Sequence, residues 1–243
     1  MKRMRTRTLY PYALLCVLLL AGCGGAESAP DTPSPVPATT DTEAPSTPPP
    51  TDTAPLRVVV LGNSIAAGYG LDPEQAFPAL LQQKVDSLGW NASIVNAGVS
   101  GETTAGGLSR IDWLLQDRVD VLVLELGGND GLRGTPTEVT KANLQGIIDK
   151  TRARYPHARI VLAGMQMPTN LGPTYTRRFR TLFPELAEEN DAVLIPFLLE
   201  GVGGIPRLNQ PDGIHPTAQG HRIVADTVWD VLKPVIEALR VEA

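Results

Sequence analysis

The chain has 243 residues and a formal net charge of −5, and its basic residues form no stripe, which argues against a nucleic-acid-binding surface. Its only cysteines are Cys16 and Cys23, so nothing downstream can form an internal disulfide or a cysteine metal cluster. With the N-terminal segments set aside, the length suits one domain with a substantial core.

Residues 1–22 read as a secretory signal. Lys2, Arg3, Arg5 and Arg7 form a basic start, and Tyr12 to Leu20 form an apolar core. That core falls short of the roughly 20 apolar residues a membrane-spanning helix needs. Leu20-Ala21-Gly22-Cys23 resembles the lipobox of bacterial lipoproteins. The resemblance implies lipid attachment at Cys23 and a chain anchored in a bacterial envelope, at the outer membrane or in the periplasm if the host is Gram-negative. An ordinary cleavage site with an incidental cysteine is the alternative. Removing residues 1–22 takes away four basic groups and no acidic ones, moving the charge from −5 to −9. Residues 23–55 are rich in Pro, Thr, Ser, Ala and Asp and nearly free of large apolar side chains, and include Pro48-Pro49-Pro50. Such a segment buries too little surface to offset its ordering entropy, so a disordered, extended tether is expected.

Residues 56–243 are expected to form the folded domain. Apolar runs at Arg57 to Leu61, Ser93 to Asn96, Val119 to Leu126, Arg159 to Ala163 and Ala192 to Pro196 read as strands. Between them, segments of helical period run from Pro73 to Leu88, Thr104 to Gln116, Thr137 to Arg154, Tyr175 to Glu189 and Ala218 to Leu239. Runs that are apolar throughout are buried on both faces, so the alternation predicts an α/β fold with a parallel five-stranded sheet covered by helices on both sides. Ligands of such sheets bind beyond the carboxyl ends of the strands. Ser64, Gly101 and Asn129 follow the first three strands, and Asp212 and His215 lie in the loop before the last helix.

Each of these residues has an ordinary structural role open to it. Ser64 can cap a helix, Asn129 and Asp130 can make a turn, and Gly101 can be a turn glycine. Together they form an acyl-transfer set, because a serine hydroxyl needs a base to become nucleophilic and the tetrahedral oxyanion needs preorganised donors. His157 and His221 lie outside that set. Gly62-Asn63-Ser64-Ile65-Ala66 also approaches the nucleophile elbow of α/β-hydrolases, but only one strand precedes the serine here, and acid and base share one short loop. Asn91-Ala92-Ser93 matches a glycosylation sequon, which the bacterial lipoprotein signal makes coincidental.

Four blocks in order carry a resemblance: Gly62-Asn63-Ser64-Ile65, Asn96 to Thr103, Gly127-Gly128-Asn129-Asp130 and Asp212-Gly213-Ile214-His215-Pro216. They resemble the blocks of the SGNH (GDSL-type) hydrolases. Gly68-Tyr69 and Leu126 to Gly134 are similar to the bacterial thioesterase I/lysophospholipase L1/arylesterase branch. The resemblance implies a three-layer α/β/α flavodoxin-like fold and hydrolysis of acyl esters or thioesters without a metal or other cofactor. It makes Ser64 the nucleophile, His215 the general base and Asp212 the acid that orients it. The oxyanion donors would be the backbone N–H groups of Ser64 and Gly101 and the side-chain amide of Asn129. Asn63 departs from the family's usual aspartate, keeping an acceptor oxygen and losing the charge.

Ile65, Leu132, Met165, Met167, Pro168 and Leu171 lie near the predicted strand ends, where they either line an acyl groove or pack as core and loop residues. The expected partners are a small-molecule or lipid acyl ester and, through the anchor, a membrane, with a monomer favoured. A carbohydrate acetyl esterase and a low-activity acyl- or glycan-binding lipoprotein remain open as alternatives.

Overall fold

The five apolar runs assemble into one wholly parallel sheet in a computed structural model that describes residues 54–242. The strands are β1 (Leu56–Gly62), β2 (Ala92–Gly98), β3 (Val121–Glu125), β4 (Arg159–Ala163) and β5 (Val193–Ile195), in the order β2-β1-β3-β4-β5. The signal segment, Cys23 and the tether lie outside the described residues.

The helices are α1 (Ser64–Ala67), α2 (Phe77–Ser87), α3 (Thr104–Leu114), α4 (Gly128–Leu132), α5 (Thr137–Arg154), α6 (Pro173–Glu189) and α7 (Ala218–Glu242). Right-handed crossovers carry the chain from β1 to β2 in one direction and from β2 through β3 and β4 to β5 in the other, so α2 lies on one face of the sheet and α3, α5 and α6 on the opposite one. Accordingly α2 packs with α7, whereas α5 packs with α3 and α6. All five residues of β3 are buried. The strand order reverses between β1 and β3, and there the two helices that follow them diverge and leave a crevice. Ser64 begins the segment after β1, and Asn129 lies in the segment after β3.

Most element ends shift by one to three residues, and two larger departures from expectation have identifiable reasons. The segment Pro73 to Leu88 is a 3₁₀ turn, Pro73–Gln75, followed by α2, with Ala76 extended between them. Pro78 lacks an N–H and so settles in the first turn of α2, where no backbone donor is needed. The short helices α1 and α4 have four and five residues, fewer than a hydrophobic period needs to show itself.

The long helix α7 buries Val224, Ala225, Val228, Leu232 and Ile236 at helical spacing. His221, on the same helix, is 1% exposed and stacks on Phe77, with ring centroids 6.5 Å apart. Its Nδ1 accepts the Phe77 N–H at 3.2 Å, one of the donors that the first turn of α2 leaves without a helical partner. Burial, aided by the charge of His215, lowers its pKa to about 4 from an ordinary 6.5. Between those values the unfolded chain binds a proton that the folded chain refuses, so this residue's contribution to stability falls as pH drops from 6.5 towards 4. A His221→Gln variant keeps an acceptor but cannot titrate. Urea unfolding of both proteins across this window should show the wild type losing up to about 3 kcal/mol relative to the variant. Parallel curves would refute this reading of His221.

Candidate active site

The turn after β1 is built around small residues. A Cβ on Gly62 would collide with the Glu125 carboxylate and with Ala66, and a Cβ on Gly98 would collide with the backbone of Ala66 and Ala67. The Asn63 Oδ1 accepts the Ile65 N–H at 2.9 Å and caps α1, while Gly68, at φ 72°, ends it. This leaves Ser64 in the first position of a helix, its side chain at the carboxyl end of the sheet.

The opposite wall is the loop before α7. Asn209 and Pro216 pair across it as an antiparallel bridge, the Gln210 N–H donates to the His215 carbonyl at 2.7 Å, and Gly213 turns the chain with φ 71°. The Gln210 side chain donates to the Tyr69 carbonyl at 2.7 Å, joining this loop to the one that follows Ser64. Within it, Asp212 Oδ1 accepts the N–H groups of Ile214 and His215 at 2.9 and 3.0 Å, and Oδ2 lies 2.7 Å from His215 Nδ1. These contacts, with the His215 side chain the largest influence and the two backbone donors next, lower the Asp212 pKa to about 2. His215 Nε2 lies 2.9 Å from Ser64 Oγ. With Oδ1 occupied by two N–H donors, Oδ2 accepts a hydrogen bond from the N–H at Nδ1, which leaves Nε2 free to accept from the serine. The Tyr69 ring covers the imidazole at 4.6 Å between centroids while remaining half exposed.

The third element is the loop between β2 and α3. Gly101 sits at φ 81° with open space where a side chain would be. Asn129 Nδ2 donates to the Glu102 carbonyl at 2.9 Å, and Arg133 donates to the Gly101 carbonyl at 3.1 Å. The Glu102 carboxylate pairs with Arg110, which also donates to the Ala97 carbonyl at 2.5 Å. Asp130 accepts from the Thr104 N–H and hydroxyl at 2.8 and 2.6 Å, tying α3 to α4. The N–H groups of Ser64 and Gly101 donate to no other group among the described residues.

The structure therefore brings Ser64, Asp212 and His215 into one hydrogen-bonded line and sets Asn129 against the loop that carries Gly101. Sequence reasoning did not single out Glu102 and Arg110, which brace that loop, or Glu125 beneath Ser64. Glu125 left a signal, as the one acid inside the apolar stretch Val121 to Leu126. The Glu102–Arg110 pairing, between a loop and α3 eight residues on, left none.

Beside Ser64 opens a mostly apolar cavity of about 440 Å³. Five of the six candidate groove residues line it: Ile65, Leu132, Met165, Met167 and Pro168. Leu171 does not. It lies on the 3₁₀ turn Thr169–Leu171 and faces a separate depression beside Pro136 and Tyr175. Phe197 and Leu199, from the loop after β5, and Ile214, from the loop that carries Asp212 and His215, complete the apolar wall.

Residues 60–223 match the GDSL-like Lipase/Acylhydrolase family. Esterase TesA of Pseudomonas aeruginosa is 41% identical over 180 residues, 74% of this chain and 89% of that protein. Thioesterase 1/protease 1/lysophospholipase L1 of Escherichia coli is 38% identical over 180 residues, again 74% of this chain and 84% of that protein. Among solved structures, that of TesA superposes with a TM-score of 0.70 at 41% identity, covering 73% of this chain and 98% of that one. AlinE4, an SGNH-hydrolase family esterase, does so with a TM-score of 0.62 at 44% identity, covering 74% and 96%. The chain belongs to the GDSL-like lipase/acylhydrolase family. It is a carboxylic ester hydrolase with the α/β fold of the SGNH hydrolases.

Proposed function

We propose that this protein is an envelope-anchored serine esterase, held by a lipid on Cys23 and a tether over residues 23–55, that hydrolyses acyl esters through an acyl-enzyme on Ser64. The observation that carries this reading is the continuous line from Asp212 Oδ2 through His215 to Ser64 Oγ, with separations of 2.7 and 2.9 Å. As the Ser64 oxygen attacks the ester carbonyl carbon, its proton passes to His215 Nε2 and the imidazolium gains the Asp212 carboxylate as partner. The carbonyl oxygen becomes an oxyanion, received by the N–H groups of Ser64 and Gly101 and the free N–H of the Asn129 amide. When the tetrahedral adduct collapses, the C–O bond to the alcohol breaks and the leaving oxygen takes the proton from His215. Water then repeats the sequence against the acyl-enzyme, with His215 as base, and releases the carboxylic acid.

The relatives named as esterase, arylesterase and thioesterase/lysophospholipase support aryl esters, lysophospholipids and thioesters as the substrate range. The apolar cavity favours a medium acyl chain over acetyl, against the alternative of a carbohydrate acetyl esterase. Each buried methylene contributes about 0.8 kcal/mol, so kcat/KM should rise by about 10²-fold from p-nitrophenyl acetate to the hexanoate. Specificity constants for a series from acetyl to palmitoyl, measured on the soluble domain from Leu56 onward, test this. A preference for acetyl esters or acetylated sugars would contradict it.

A further inference from the structure

Glu125 is the one acid in β3, and the chemistry described above does not use it. It is 0% exposed and pairs in register with Gly62 on β1, directly beneath the turn that presents Ser64. Its Oε2 accepts the N–H groups of Asn63 and Ala66 at 3.0 and 3.2 Å, and its Oε1 accepts the side-chain amide of Asn63 at 2.8 Å. Asn63 holds the rest of the turn through the Ile65 N–H, and its Oδ1 lies 3.5 Å from Ser64 Oγ. Glu125 thus grips both ends of the four-residue segment Asn63 to Ala66. Among the described residues no lysine or arginine pairs with it. The turn and α1 present only N–H donors, and the charged group it feels is Glu102, which Arg110 covers.

We infer that Glu125 is a positioning residue for Ser64 and that Asn63 and Glu125 form a matched donor–acceptor pair, which relieves the nucleophile turn of any need for a shared proton. The inference rests on the hydrolase reading. The logic follows from which atoms can donate. Both oxygens of Glu125 face N–H groups, so each has to accept. A glutamine at position 125 would turn an N–H against the Asn63 amide or against the backbone donors, leaving buried groups unmatched. An aspartate at position 63 would set two carboxyl groups in contact, and these stay together only while they hold one proton between them. Burial raises the Glu125 pKa, but its three N–H donors favour the ionised acceptor, whereas a second carboxyl group in contact with it would hold a proton at neutral pH and lose it in alkali. Exchanging both residues restores a match. The carboxylate then at position 63 would accept from the amide at position 125 and from the Ile65 N–H, and the oxygen of that amide would accept the two backbone N–H groups.

The test uses wild type, Glu125→Gln, Asn63→Asp and the double variant, with kcat and KM for p-nitrophenyl butyrate and thermal unfolding at pH 7 and pH 9. Glu125→Gln should lower kcat about 10- to 100-fold at both pH values with KM little changed, the effect expected of a displaced nucleophile. Asn63→Asp should approach wild type at pH 7 and fall about tenfold below it at pH 9. The double variant should return to within about threefold of wild type at both. Wild-type turnover by Glu125→Gln, a double variant no faster than Glu125→Gln, or an Asn63→Asp ratio that does not change with pH would each overturn the inference. If Glu125→Gln does not fold, the pH ratio of Asn63→Asp decides. If wild type hydrolyses no ester, the hydrolase reading fails separately. The melting temperatures then decide the pairing, which requires Asn63→Asp to be selectively destabilised at pH 9 and the double variant to recover.

Discussion

A Ser64→Ala variant is expected to lose essentially all esterase activity, with kcat falling by about 10⁴- to 10⁶-fold while KM changes by no more than a few-fold. The size of the effect comes from the loss of a covalent step. Without the hydroxyl there is no acyl-enzyme, and the remaining donors can only assist direct attack by water, which serine hydrolases lacking their nucleophile perform at a small residual rate. The fold should survive, because the Ser64 side chain makes only the 2.9 Å contact to His215 and a marginal 3.5 Å one to Asn63. Initial rates on p-nitrophenyl butyrate, beside thermal unfolding of both proteins, separate the two effects. A folded variant retaining more than a tenth of the wild-type rate would show that another group is the nucleophile.

Asp212→Asn is expected to lower kcat by about 10³- to 10⁴-fold, although it changes only one polar atom. Asp212 Oδ1 accepts two backbone N–H groups at 2.9 and 3.0 Å, so an asparagine here keeps its oxygen on that side and turns its NH₂ towards His215 Nδ1. A donor facing Nδ1 forces the imidazole proton onto Nε2, the nitrogen 2.9 Å from Ser64 Oγ. The ring then presents a proton where the serine needs an acceptor. The same size of loss in the Ser-His-Asp proteases has this tautomer as its cause. The loop itself keeps its backbone contacts, so unfolding should change little. A loss below tenfold would mean that Asp212 is not the orienting acid.

The fold was legible because its strands announce themselves twice, as apolar runs and as regular alternation with helical segments. The predicted ranges of α5 and β4 coincide with the observed ones. The glycine blocks were legible as motifs, but their reason was not. Gly62 is fixed by the carboxylate of Glu125 from another strand, and Gly131 by Met167 packing against it, contacts that no local pattern contains. The site residues could be grouped because all of them sit at the carboxyl ends of strands or in the loop that faces them. What escaped was the support beneath them. Arg110 reaches Glu102 from one face of α3, and Glu125 hides in a strand whose hydrophobicity masks a single acid. Asn63, read as a departure that loses a charge, is better described by what it donates to: its amide N–H meets a buried carboxylate at 2.8 Å.

The central claim is that Ser64 is an activated nucleophile. It is tested most directly by incubating the protein with a fluorophosphonate at low concentration and locating the adduct by peptide mass spectrometry. The proposed site requires stoichiometric modification confined to Ser64, slowed strongly in Asp212→Asn and accompanied by loss of ester hydrolysis. Absence of labelling in the folded wild-type protein, or an adduct on another residue with activity lost in parallel, would contradict it.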